Sequence, residues 1–156
     1  MHKNFSLIFT IVFLISGSLY SQIPGKNIYL HVKQITENSF PIKLDLENGE
    51  FKDWNTGKII RCILMKGEHV FKPGDMTDPV SQLSVALEKE GWVSTFEYSA
   101  DGPDGTVFTY SKNKVMLVYE ISWSPGHEDG LTEEEEKELE KLPVTYSMSL
   151  YCFLKQ

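Results

Sequence analysis

Clusters of lysine and arginine are missing from this sequence. The 156 residues hold 15 Lys or Arg against 22 Asp or Glu, for a formal net charge of −7. A nucleic-acid surface needs a basic stripe to neutralise phosphates, and an anionic lipid surface needs a polybasic patch. With neither present, nucleic acid and charged membrane are not expected as partners. Cysteine is scarce as well, with only Cys62 and Cys152. They form no CxxC and have no histidine pair nearby, so the common zinc patterns do not apply. A P-loop, a dinucleotide-binding fingerprint and a G-x-S-x-G elbow are also lacking. His31, His69 and His127 are far apart in the chain. No catalytic set, metal or cofactor is expected, and the chain reads as a non-enzyme.

What is present starts with an address. Residues 1–21, MHKNFSLIFTIVFLISGSLYS, run from a short basic start through an apolar block at 5–15 to small and polar residues. That order is the three-part pattern of a secretory signal peptide. The apolar block is shorter than the ~20 residues of a membrane-spanning helix. Cleavage is predicted after Ser21, leaving residues 22–156 as one secreted or periplasmic domain without stable membrane insertion. Loss of Lys3 moves the net charge from −7 to −8. Outside the cytoplasm a disulfide is chemically allowed. A Cys62–Cys152 bridge would close a long loop, worth about 4–5 kcal/mol in the chain-entropy picture. The alternative is two unpaired core cysteines packing as small hydrophobes.

The mature region alternates between turn signals and strand-like runs. Residues 28–35 alternate weakly, and residues 40–46 place Phe40, Ile42, Leu44 and Leu46 on one face. Asn48-Gly49 and Asn55-Thr56-Gly57 supply turns, with Trp54 between them. Residues 58–65 set Ile60, Cys62 and Leu64 on one side, and Lys72-Pro73-Gly74-Asp75 then breaks the chain. Such period-2 patterns with polar breaks are half-buried strands and turns.

A helix is predicted over 78–90. Asp78 can cap it, Pro79 suits its first position, and Gly91 ends it. Val80, Leu83, Ser84 and Leu87 form its apolar stripe, while Glu88, Lys89 and Glu90 face water. Strands follow at 92–98, 106–111, 115–123 and 144–154. The first should place Trp92, Ser94, Phe96 and Tyr98 on a shared face. SADGPDG makes one hairpin turn and KNK a tighter one, in which Asn113 tolerates positive φ. The 115–123 run is apolar on both faces up to Val118, as a central strand would be. The expected fold class is α+β, a single domain. It comprises an antiparallel β-sheet, one main amphipathic helix packed on one face, and a short acidic helix near the C-terminus.

That acidic helix lies in the stretch SWSPGHEDGLTEEEEKELEKLP at 122–143. Thr132 and Glu135 form a capping box, and Glu133 and Glu134 suit the positive end of the helix dipole. Helix chemistry therefore accounts for most of the acidity. His127-Glu128 begins like the HExxH of zinc peptidases, but Leu131 stands where the second histidine is needed. Pro125-Gly126 and Gly130 point to an exposed loop instead. DGPDG at 101–105 lacks the oxygen ligands of a calcium loop, since Pro103 takes the third position and Lys112 the twelfth.

The candidate binding residues are Trp123, His127, Glu128 and Asp129. The leading expectation is an exported, non-catalytic interaction protein of the cell envelope or exterior. Its partner would be a protein or cell-surface component, an inhibitor or immunity-type role being one form of this. One alternative is a small hydrolase assembled in space around His127 and Glu128. Another is a module holding a small apolar ligand in a sheet–helix cleft.

Overall fold

The computed structural model describes residues 23–73, 78–124, 130–139 and 141–155. Residues 1–21, on which the signal-peptide expectation falls, and His127, Glu128 and Asp129 lie outside the described residues. In chain order the elements are α1 (Lys26–Ser39), β1 (Asp45–Lys52), β2 (Ile59–Phe71), α2 (Pro79–Lys89), β3 (Val93–Gly102), β4 (Gly105–Lys112), β5 (Val115–Ser124), α3 (Glu133–Leu139) and β6 (Val144–Leu154). The strands form one antiparallel sheet ordered β1-β2-β6-β5-β4-β3. This is the α+β architecture read from the sequence. β5 and β6 are central, which explains why both carry buried residues on both faces.

The sheet has a core on each side. Against the helices lie Met65, Leu117, Tyr119, Met148 and Leu150, covered by Val32 and Ile35 of α1 and Leu83 and Leu87 of α2. The far side gathers Phe51, Ile60, Cys62, Leu64, Tyr98, Met116, Val118 and Phe153. The period-2 alternation of β2 separates the two sets, with 60, 62 and 64 on one side and 63 and 65 on the other.

α2 follows its sequence signals closely. The Asp78 carboxylate accepts the Ser81 N–H at 3.1 Å and fills the cap. Gly91 takes φ +80°, a conformation that costs glycine little. The Trp92 N–H can then donate back to the Leu87 carbonyl at 3.1 Å. Leu83 and Leu87 are fully buried.

The 28–35 segment is helical, contrary to the strand expected there. The alternation set Ile28 and Leu30 inward, yet each is 40% exposed. The buried set is Val32, Ile35 and Thr36, spaced as one helix face. The Thr36 hydroxyl donates to the Val32 carbonyl and lies 2.9 Å from the Tyr119 hydroxyl, which fastens α1 to the middle of the sheet. Its N-cap, Gly25, provides no side-chain bond, so the start signal that marks α2 is missing here.

The next segment keeps its alternation without joining the ladder. Phe40, Ile42 and Leu44 are buried, but β1 begins only at Asp45. Asn48 and Gly49 are strand residues opposite Ile63 and Cys62 rather than a turn. The connector crosses β2 closely. A Cβ added to Gly67 would lie 2.1 Å from the Lys43 carbonyl oxygen.

The two cysteines do not bridge. Cys152 pairs in register with Ile63, one residue from Cys62. Neighbouring strand residues point to opposite faces, so Cys152 enters the helix-side core and Cys62 the far one. Both are free and buried. Burial pushes the Cys62 thiol up to about 11 and the Cys152 thiol to about 12, so neither is a reactive thiolate.

β3 also departs from expectation. Its register with β4 shifts between Thr95 and Ala100. Trp92 therefore faces the helix-side core while Tyr98 enters the far one. Phe96 is left 91% exposed. Tyr98 there meets Phe51 and Trp54, which come from the opposite edge of the sheet, at ring distances of 5.0 and 5.4 Å. The two edge strands thus close over the far core.

Candidate functional site

The end of α2, the β4–β5 hairpin and helix α1 converge at one end of the sheet. Gly91 halts α2 and leaves Glu90 as its C-cap. The β4–β5 hairpin turns through Asn113, at φ +57°, and Lys114, with Lys112 opposite Val115. The Lys112 ammonium donates to the Glu90 backbone carbonyl. Unpaired carbonyls at a helix end carry partial negative charge and suit a cation. From α1, His31 brings Nε2 within 3.2 Å of Glu90 Oε2. That pair is about half exposed, so its contribution is positional more than energetic. Glu90 therefore ties α1 and the hairpin to the end of α2.

Between these elements lies a cleft of about 260 Å³. Ile28, Trp92 and Val115 make its apolar wall, and Asn27, His31, Lys112 and Asn113 its polar rim. No serine, threonine or cysteine is among the described lining residues. The cleft can hold an apolar group and orient it by hydrogen bonds. Its described lining offers no hydroxyl or thiol side chain for His31 to activate.

A second cleft, of about 230 Å³, lies where the sheet edges meet. Asp53 is its notable residue, with its carboxylate accepting from the Asn55 and Thr56 N–H groups at 2.9 and 3.2 Å. The Thr56 hydroxyl adds a bond of 2.6 Å. That hydroxyl and the two N–H groups hold the Asp53 carboxyl below the usual range, against the opposing effect of burial. Tyr98 also bonds to Asp53, and burial pushes its hydroxyl up to about 12. Lys155 is engaged by Glu97. The polar groups here hold a turn together and leave little for a ligand.

A third, more open groove runs beside α3, between Leu131, Leu139 and Leu142 and the carboxylates of Glu134, Glu135 and Glu138. The capping box is formed as expected, with the Thr132 N–H donating to Glu135 Oε2 at 2.8 Å and the Glu135 N–H returning to the Thr132 hydroxyl at 3.4 Å. No α3 side chain is buried. Among the described residues no group of three or more His, Cys, Asp or Glu could hold a metal ion. No described helix is long and apolar enough to cross a membrane.

Of the residues proposed from sequence, Trp123 is half-buried and sits at the opposite end of β5 from the cleft. Its indole donates to the Pro103 carbonyl at 3.1 Å, and its ring packs 5.9 Å from Tyr146. It braces the β3–β4 turn. His127, Glu128 and Asp129 lie outside the described residues, and Cys62 and Cys152 are core. The cleft residues were missed because His31 was placed on a strand. Glu90 and Lys112 are 22 residues apart, and no motif links them. Only Asn113 and Gly91 were legible, as turn residues. No family model matches this chain, and no curated protein or solved structure matches it either.

Proposed function

We propose that the protein is an exported, non-catalytic binding module that recognises a protein or cell-surface partner through the cleft between α1, the end of α2 and the β4–β5 hairpin. The observation that carries this is the cleft's composition, an apolar wall of Ile28, Trp92 and Val115 fenced by Asn27, His31, Lys112 and Asn113. Sites that accept an apolar group and fix its orientation are built in this way. The walls are held in advance, since His31 and Lys112 both fasten to Glu90. Preorganisation lowers the ordering cost of binding. Export rests on the signal-like pattern of residues 1–21. The net charge of −7 supports a basic partner surface, steered by long-range attraction that salt weakens.

The test compares two baits in an envelope extract, the wild-type protein and Asn27→Trp. Asn27 is exposed at the start of α1, so the new ring fills the cleft without entering the core. A partner retained by the first bait and lost from the second supports the reading. Equal retention rejects the cleft as the recognition site.

The His31–Glu90 pair favours a second reading, a small hydrolase in which Glu90 orients His31 as a general base. Here His31 takes the place first given to His127. Hydrolytic activity abolished by His31→Gln, with partner capture intact, would favour this reading over the first.

A further inference from the structure

We infer that the occupant of this cleft is a small apolar group ending in a single carboxylate, an inference that rests on the cleft being the recognition site. The first ground is the sign of the local charge. The chain carries net charge −7, yet no Asp or Glu is among the described residues lining this cleft. The ionisable groups lining it are His31 and Lys112. The Glu90 carboxylate is turned to His31, while among the described residues the Lys112 ammonium bonds to the Glu90 backbone carbonyl. An ammonium has three donors, so Lys112 keeps charge and hydrogen-bonding capacity for a ligand oxygen.

The second ground is the start of α1. Gly25 gives no side-chain cap, and the first turn holds no acidic residue. Asn27 and Ile28 of that same turn line the cleft. The Ile28 N–H is taken by the Gly25 carbonyl at 2.9 Å, so what this turn offers the rim is the Asn27 side-chain amide, a hydrogen-bond donor. With the Lys112 ammonium across the same walled cavity, the rim presents donors to an anionic oxygen.

The third ground is size and valence. A cleft of about 260 Å³ falls below the ~300–1,000 Å³ of drug-sized pockets. The wall of Ile28, Trp92 and Val115 therefore suits a short alkyl chain or one ring. Glu90 opposes any anion here, and a dianion such as a phosphate monoester twice as strongly, with one lysine in support. A monocarboxylate matches that single charge. Both a free small acid and the C-terminal residue of a protein partner carry this chemistry.

The experiment is a calorimetric titration of the full protein with sodium hexanoate, hexan-1-ol, and a short peptide ending in leucine as free acid and as amide. It is run on wild type, Lys112→Gln and Asn27→Trp. Hexanoate should bind about ten-fold or more tightly than hexan-1-ol, the effect of one charge-assisted contact. Lys112→Gln should erase that preference, and Asn27→Trp should abolish both interactions. A free-acid peptide that outcompetes hexanoate, while its amide does not bind, assigns the carboxylate to a protein C-terminus. The reverse order assigns it to a free acid. Equal binding of hexanoate and hexan-1-ol, or a preference that survives Lys112→Gln, overturns the carboxylate and spares the cleft. Absence of binding by every probe, or binding indifferent to Asn27→Trp, overturns the cleft and the inference with it.

Discussion

Asp53 and Gly67 show how much one position can decide. The native Asp53 carboxyl holds its proton less readily than it would in the unfolded chain, because the Thr56 hydroxyl and two backbone N–H groups bond its charged form. At acid pH the unfolded state therefore binds more protons. The stabilisation is full above the unfolded value of about 3.9 and is lost as pH falls through the lower folded value. Asp53→Asn should melt earlier than wild type at neutral pH, and the gap should narrow near pH 3. Denaturant midpoints at the two pH values check this. Tyr98 works in the opposite direction. Its hydroxyl is raised to about 12, so its contribution is full below about 10 and is lost as pH rises beyond that. At Gly67, alanine would place a carbon 2.1 Å from the Lys43 carbonyl oxygen. Backbone cannot yield as a side-chain end can, and the cost should reach the upper end of over-packing, about 3 kcal/mol. Gly25→Ala, with nothing within 4 Å, is the uncrowded comparison and should lose no more than the roughly 1 kcal/mol of a poorer N-cap. The sequence marks only the neighbouring turn at Asn55-Thr56-Gly57, and it gives no hint of Asp53 or of Gly67, whose crowding comes from a segment twenty-four residues earlier.

Elements with their own start and stop signals were legible, and those held by distant contacts were not. α2 has Asp78, Pro79 and Gly91 at its limits and a leucine stripe between them, and all of these do in the fold what they suggest in the sequence. Leu83→Ala and Leu87→Ala should each cost about 2–5 kcal/mol, since both side chains are fully buried. Glu88→Ala, on the exposed face, should stay within about 0.5 kcal/mol of wild type. Equal losses for all three in denaturant melts would contradict the buried face. α1 lacks a side-chain cap, and its anchor is the bond between the Thr36 and Tyr119 hydroxyls, 83 residues apart. Local alternation therefore read it as a strand. The bulge in β3 is of the same kind. Phe96 and Tyr98 follow strand spacing in sequence, and only the closure of the far core by Tyr98 and Phe51 turns them apart. α3 was legible because its capping box is self-contained.

At the scale of the molecule, the last strand lies between β2 and β5, in the middle of the sheet. That insertion brings Cys152 beside β2, opposite Ile63 and one residue from Cys62. The face of a strand is fixed by parity, and here parity separates the two sulfurs. Mass spectrometry of unreduced protein should count two free thiols, and the exported form should begin at or near Gln22. The cleft is likewise a product of the whole. His31, Glu90 and Lys112 meet only after α1 has packed on the sheet and the β4–β5 hairpin has closed. No spacing in the chain foretells it.

The most direct measurement is a ¹H–¹⁵N correlation map of the protein recorded with and without a mixture of small apolar acids and alcohols. If the cleft is the recognition site, the largest shifts fall on Asn27, Ile28, His31, Lys112, Asn113 and the Trp92 indole. Shifts centred instead on the α3 groove, at Leu131, Leu139 and Leu142, or on exposed Phe96, would contradict it.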